Sequence, residues 1–349
     1  MKILCVVRRY GPVGGMERYV WEVTCELAAL GHRVEVLCER CHGEKPQGIA
    51  VHELGEIASR PRWLSLLRFG ARAADWLAAH PHPGWLIHSH ERMGVHHVTT
   101  FHGPPFATVF DKPFWRLLSL RVWMQLYLER RELSRAAVIV PNSANIRQQL
   151  AHYYPAQSAK LAQPVVPGVT ASASRAWRSA PADGGIVGFV GKEWRRKGLP
   201  MAIEIVARLK RQRPALELWV VGPEPGEIQH LFNGWQGGYR LLGWSAAPNF
   251  ADFDVLLHPA RAEPYGMVIS EAMVAQVPVV VSDVCGAAAQ VSAASGAVLP
   301  LHADAAVWAA ALDAQLRRPS APPPFARSWR EAAQEYELIY RQCLKGGIT

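Results

Sequence analysis

The sequence predicts an α/β protein of two domains, each built on a parallel β-sheet, and three observations carry that prediction. A strand, glycine loop, helix and strand open the chain, and a second copy of the rhythm begins near Ile186. The 349 residues are too many for one ordinary domain and suit two α/β domains of roughly 150 residues each.

Ile3 to Val7 is a short apolar, β-rich run, and Gly11-Pro12-Val13-Gly14-Gly15 after it is turn-prone. From Met16 to Leu30 apolar residues recur at helical spacing, Gly31 supplies the stop, and Val34 to Cys38 is the next apolar run. Strands covered on both faces read as nearly continuous hydrophobic runs, so this is a βαβ unit. In the second copy, Ile186 to Val190 is a strand, a loop runs through Gly198, Met201 to Arg213 is a helix and Leu216 to Val221 a strand. Further strands are expected at Val255 to His258 and Val277 to Ser282, with a helix over Met267 to Ala275 between them. Two such starts so far apart imply two Rossmann-like domains rather than one long sheet. Between them lie Gln163 to Val169 and a small, polar run of Ala and Ser, which set the expected domains at 1–165 and 166–325. Residues 326–349 are expected to form a helix, near Ser328 to Leu344, that packs back on the first domain.

Half of the residues are hydrophobic, enough for sizeable cores, and no stretch is of low complexity. A net charge of +9 and a pI near 9.4 suit an anionic partner: nucleic acid, a phosphorylated substrate or an acidic membrane surface. The opening MKILCVVRRY is too short in its apolar run for a signal peptide, and no segment gives eighteen uninterrupted apolar residues. Without export, the six cysteines read as reduced thiols of a cytoplasmic protein. Cys38-Glu39-Arg40-Cys41-His42 matches a haem-attachment pattern but lacks that export signal, and the haem reading is rejected.

The strongest chemical signal is Ala262-Glu263-Pro264-Tyr265-Gly266-Met267-Val268-Ile269-Ser270-Glu271-Ala272. Gly266 lets backbone approach a ligand, and the free N–H groups of the helix start after it suit a phosphate. Glu263 on the loop, expected to be partly exposed, and Glu271 one to two turns into the helix either face one cleft or are ordinary solvated acids. Lys192, Arg195, Arg196 and Lys197 fall in a βα loop, where a departing diphosphate needs positive charge.

Seven residues separate the two glutamates, and the segment resembles the E-x7-E signature of family 4 retaining glycosyltransferases of the GT-B fold. Other stretches follow in the family's order. Gly14-Gly15-Met16-Glu17 resembles its N-terminal donor loop, Thr100-Phe101-His102-Gly103 its acceptor-side histidine segment, and Pro141-Asn142-Ser143 a late strand end. Pro167-Gly168-Val169 resembles the interdomain turn, Phe189-Val190-Gly191 with Arg196-Lys197-Gly198 the basic phosphate loop, and Asp254 to Pro259 the lead into the glutamates. Lys192 stands where the family often has arginine, so Arg196 and Lys197 are taken as the paired cations. The resemblance implies two Rossmann-like domains facing a central cleft, an acceptor-binding first and a nucleotide-sugar-binding second.

It also implies the residue roles. His102 approaches the reacting sugar through its side chain or backbone, and Glu263 contacts the donor sugar. Gly14, Gly15, Lys192, Arg196, Lys197, Tyr265, Gly266, Met267, Val268 and Glu271 bind the donor, Glu271 at the nucleotide ribose. No D-x-D pair is placed to hold a metal, so no metal and no cofactor beyond the nucleotide-sugar itself are expected, a UDP-sugar being favoured. Leu257-His258-Pro259-Ala260 and Val284-Cys285-Gly286 are most similar to lipopolysaccharide core glycosyltransferases, which implies hexosyl transfer to a lipid-linked or core saccharide.

Between Lys112 and Arg135, Trp115, Leu117, Leu118, Trp123, Leu126 and Tyr127 alternate with Arg116, Arg121, Arg130 and Arg131. The segment has six cations against Glu129 and Glu132, and is either an interfacial helix on anionic lipid or a helix packed on the sheet. The first reading makes the protein peripheral on the inner face of the cytoplasmic membrane. Among rivals, a nucleotide-sugar 2-epimerase shares the fold without the glutamate signature. A noncatalytic nucleotide or nucleic-acid binder has only the net charge behind it, and no nucleic-acid partner is expected. A nicotinamide oxidoreductase would need G-x-G-x-x-G, which the first loop lacks.

Overall fold

The computed structural model describes residues 1–170, 175–235, 237–245 and 247–345. The alanine–serine run at the expected boundary lies mostly outside them. The chain divides into two compact units, Met1–Gly168 with Ser328–Thr349, and Val169–Arg327.

The first unit holds strands β1 (Lys2–Val6), β3 (Arg33–Cys38), β5 (Ala50–Glu53), β6 (Leu86–Ser89), β7 (Val98–Phe101) and β8 (Val138–Pro141). They form one parallel sheet in the order β5-β3-β1-β6-β7-β8. Two short strands, β2 (Arg9–Tyr10) and β4 (Arg40–Cys41), pair beside it. Its helices are α1 (Gly15–Ala29), α2 (Arg62–Ala79), α3 (Leu120–Arg135) and α4 (Ala144–Tyr153), with α9 (Trp329–Lys345) supplied by the chain's end. The second unit repeats the plan with β9 (Gly184–Val190), β10 (Ala215–Val221), β11 (Tyr239–Leu241), β12 (Val255–His258), β13 (Val279–Ser282) and β14 (Gly296–Leu299). These lie parallel in the order β11-β10-β9-β12-β13-β14, with α5 (Leu199–Leu209), the short α6 (Pro225–Ile228), α7 (Met267–Val274) and α8 (Ala305–Leu316).

Both sheets have the doubly wound order in which the chain reverses direction beside its first strand. Such folds open a crevice at the carboxyl ends of the two strands flanking the reversal. In the first unit those strands are β1 and β6, running out into Arg8-Arg9 and His90-Glu91. In the second they are β9 and β12, running out into Gly191-Lys192 and toward Glu263.

Buried polar groups tie α9 to the first sheet. Tyr19 Oη donates to the Val165 carbonyl (2.9 Å). From Tyr19 a hydroxyl chain runs through Tyr336 (2.9 Å) and Thr100 (2.6 Å) to His88 Nε2 (2.8 Å), and His88 Nδ1 meets the Tyr340 hydroxyl (2.7 Å). The chain has one consistent direction. Tyr340 donates to Nδ1, Nε2–H donates to Thr100, Thr100 to Tyr336, and Tyr336 to Tyr19. This assigns His88 as the neutral Nε2–H tautomer, and burial pushes its pKa down in the same sense.

Helix α3 turns a polar stripe inward: Gln125, Glu129 and Glu132 are all buried. Glu129 receives Arg92 (2.7 Å), the Phe106 and Ala107 amides (2.7 and 3.1 Å) and the Tyr154 hydroxyl (2.7 Å), and so pins the loop that follows His102. Val122, Leu128 and Leu133 are buried with them, whereas the aromatics of the segment stay outside, Phe114 (74% exposed) and Trp115 (61%) before the helix with exposed Leu118, and Trp123 and Tyr127 along it. Leu126 is core, and Arg131 is half-buried with two guanidinium nitrogens that lack partners. The two glutamates counted against the cations in the sequence therefore face inward, and Arg131 leaves the outer face. No helix among the described residues is long and apolar enough to cross a membrane.

Candidate active site

The second unit gathers most of the donor residues at the end of β9 and β12. Gly198, with φ +82°, lies so close to the neighbouring loop that a Cβ there would sit 2.0 Å from the Pro259 carbonyl oxygen. Only glycine permits that approach, which brings the 191–198 loop against 259–263. Arg196 ties the two loops, its Nε donating to Glu193 (2.6 Å) and its Nη1 to the Ala262 carbonyl (2.5 Å). Lys197 Nζ pairs directly with Glu263 Oε2, which also has Arg196 Nη1 at 3.5 Å and His258 Nε2 at 3.6 Å. Lys192 is exposed and joins no ion pair among the described residues, and Arg195 stacks on Trp194, 4.1 Å from the ring centroid.

Glu263 differs from its expected exposure: its side chain is 7% exposed. Pairing carboxylate with ammonium and guanidinium excludes water from a loop that sequence position alone would place outside. Burial pushes the Glu263 carboxyl up, but His258 and Lys197 outweigh it and hold the pKa at about 2. His258 is wholly buried with its Nε2 facing the Glu263 carboxylate, and burial lowers its pKa. The sequence reading missed its place beside Glu263, although the histidine ending a β-strand before a proline was visible.

Gly266, in the left-handed region at φ +97°, caps α7, so the first amides of Met267 and Val268 face out of the helix start. A Cβ there would crowd Glu263 Cγ at 3.1 Å. Glu271 lies a little over one turn into α7, half-buried. Tyr265 is turned into the core, its hydroxyl on Ser270 (2.9 Å) and Gln290 (3.1 Å), so its phenol is a structural strut and only its backbone borders the loop.

The other expected residues belong to the first unit. Gly14 and Gly15 open α1, where the Gly14 carbonyl accepts from the Arg18 amide (2.8 Å) and Gly15 has open space around its Cα. His102 follows β7 and meets His90, Nε2 to Nδ1 at 2.9 Å, with Tyr19 edge-on to its ring. Burial pushes its pKa down to about 3, so the imidazole is neutral near pH 7. His102 and His90 border a cavity of about 850 Å³ at the ends of β1 and β6, within the first unit. Its other walls include Arg8, Glu91, Arg62 and Arg121, none of which the sequence singled out for a site.

Among the described residues, Cys5, His88 and His90 place possible ligand atoms within 4.8 Å of one another. Both His88 nitrogens are already hydrogen-bonded, and burial pushes the Cys5 thiol up to about 12, so this trio does not suit a metal.

Two doubly wound units, one with a cation–carboxylate cluster at its switch point, define a GT-B glycosyltransferase. The family model described as Glycosyltransferase Family 4 matches residues 13–163, and that described as Glycosyl transferases group 1 matches 184–318. The chain belongs to the family 4 glycosyltransferases. It is 26% identical over 381 residues to the D-inositol 3-phosphate glycosyltransferase of Saccharomonospora viridis, covering 93% of this chain and 86% of the relative. It is 30% identical over 164 residues to the lipopolysaccharide glucosyltransferase WaaG of Escherichia coli, covering 42% and 40%. A crystal structure of WaaG, a glycosyltransferase involved in lipopolysaccharide biosynthesis, matches with a TM-score of 0.77 at 21% identity, over 99% of this chain and 98% of that one.

Proposed function

We propose that this glycosyltransferase is a retaining hexosyltransferase that uses a nucleotide-sugar, UDP-sugar favoured, to extend a lipid-linked or lipopolysaccharide-core saccharide. The observation that carries the donor half is the Arg196–Lys197–Glu263 cluster at the β9/β12 switch point. When the anomeric bond breaks, negative charge collects on the diphosphate, and Arg196, Lys197 and the amides after Gly266 are the groups to hold it. Lys192 stands free beside them, Glu263 reaches the sugar hydroxyls and Glu271 the ribose. Gly14 and Gly15 offer a second helix start to the donor.

Glu263 is committed to Lys197 and is a poor nucleophile, which favours attack from the face the diphosphate leaves. The acceptor oxygen bonds to the anomeric carbon as the bond to the diphosphate breaks, and the hydroxyl proton passes to the departing phosphate oxygen. His102, neutral at pH 7, orients the reacting sugar as a hydrogen-bonding group and does not take the proton.

The likeness to WaaG supports a lipopolysaccharide-core acceptor, and the 26% relative that acts on an inositol phosphate is the reason to test it. The exposed Phe114, Trp115, Leu118, Trp123 and Tyr127 beside Lys112, Arg116 and Arg130 support a peripheral position on anionic lipid at the inner face of the cytoplasmic membrane. A thermal-shift screen of UDP-, GDP- and ADP-sugars tests the donor: a rise with UDP-sugars alone is expected, and a rise confined to another base replaces UDP.

A further inference from the structure

The cavity of the first unit is lined by six arginines, and they are not equivalent. Arg8 is held two-handed by Glu39, both contacts at 3.0 Å, and Arg92 by Glu129 (2.7 Å) and Gln125 (2.8 Å). Arg9 has Glu17 at 3.8 Å. Arg60, Arg62 and Arg121 form no hydrogen bond or ion pair among the described residues, and all three are exposed. Of the three carboxylates of the same wall, Glu17 is the one facing Arg9, and the other two are buried. Burial pushes Glu91 up to about 7, against the pull of Arg8 and Arg62, and Glu132 up to about 8, against the pull of Arg92.

A site for a neutral sugar would be expected to offer free carboxylate or amide acceptors. Here the uncommitted charged groups are guanidinium forks, whose geometry matches the paired oxygens of a phosphate or carboxylate. A volume of about 850 Å³ is also ample for a charged saccharide. We infer that the acceptor carries an anionic group, a phosphate or a carboxylate, which Arg60, Arg62 and Arg121 receive in this cavity. The inference rests on the reading of the first unit as the acceptor side.

The test is calorimetric titration of the full chain with glucose 6-phosphate, glucuronate and glucose, each with and without UDP. The wild type is expected to bind one charged sugar at least tenfold more tightly than glucose, and which one tells phosphate from carboxylate. In Arg60→Gln/Arg62→Gln that preference should fall about tenfold while UDP affinity is unchanged. Both side chains are exposed, and an unchanged melting temperature verifies the fold. Equal affinity for all three sugars, or a preference that survives in the variant, overturns the inference. UDP binding alongside such a result leaves the donor reading standing. A charged-sugar preference without UDP binding keeps the anion site and removes the donor reading.

Discussion

Replacing Glu263 by glutamine removes one charge and almost no volume, so it isolates the ion-pair cluster. With the folded pKa at about 2 and an ordinary value of 4.5, the pairing is worth about 3 kcal/mol at pH 7. For a unit of this size that corresponds to a fall in Tm of roughly 6–12 °C. The carboxyl is depressed, so its contribution is complete above the unfolded pKa and fades as pH falls through about 2. The gap between wild type and variant should therefore narrow to less than half at pH 3. Differential scanning calorimetry at the two pH values reads it. The variant also leaves Lys197 without its anion, so a nucleoside diphosphate should raise its melting temperature more than it raises that of the wild type. Turnover should fall, because the sugar contact is lost. A Glu263→Gln protein that melts with the wild type at pH 7 would refute the reasoning, since Glu263 would then not be held by His258 and Lys197.

Arg196→Ala/Lys197→Ala should weaken nucleoside diphosphate binding by several kcal/mol at about 1.5–3 per charge-assisted contact, less what each cation gives up by leaving Glu263. Calorimetry showing unchanged affinity moves the phosphate site elsewhere. Glu132→Gln should stabilise the first unit by up to about 5 kcal/mol at pH 8.5, because a carboxyl pushed up to about 8 costs stability as pH rises from 4.5. The gain should all but vanish near pH 3.5, below the ordinary carboxyl pKa of 4.5, where the wild-type side chain is largely protonated folded or unfolded; thermal melts at both pH values check it. Lys112, Arg116 and Arg130 replaced by glutamine should reduce partitioning onto anionic vesicles on the order of a hundredfold at about 1 kcal/mol each, read by co-sedimentation. Wild-type protein that ignores such vesicles at low salt removes the membrane position. Arg131 is left out of that set because its guanidinium is tucked into the fold.

The sequence by itself determined the elements whose burial is two-sided. The runs at Ile3 to Val7, Val34 to Cys38, Ile186 to Val190 and Leu216 to Val221 fall within or one residue beyond observed strands, because a strand covered on both faces must be apolar throughout. The glutamate signature and the basic loop were equally plain, since both are local in sequence. What tertiary structure alone decided are the places where partners lie far apart along the chain. Strands β6 and β7, Leu-Ile-His-Ser and Val-Thr-Thr-Phe, carry His88 and Thr100, whose buried partners stand on α9, more than two hundred residues on. The alanine-rich α8 lacks a polar face to betray its period. Helix α3 hides its glutamates and shows its aromatics, the reverse of the usual pattern, because Glu129 is needed inside to hold Arg92 and two loop amides. Glu263 lies in a loop and became buried only because Gly198 lets Lys197 reach it. Periodicity reports which face a residue presents, whereas ion pairing across loops depends on where the backbone returns, and only the folded chain contains that information.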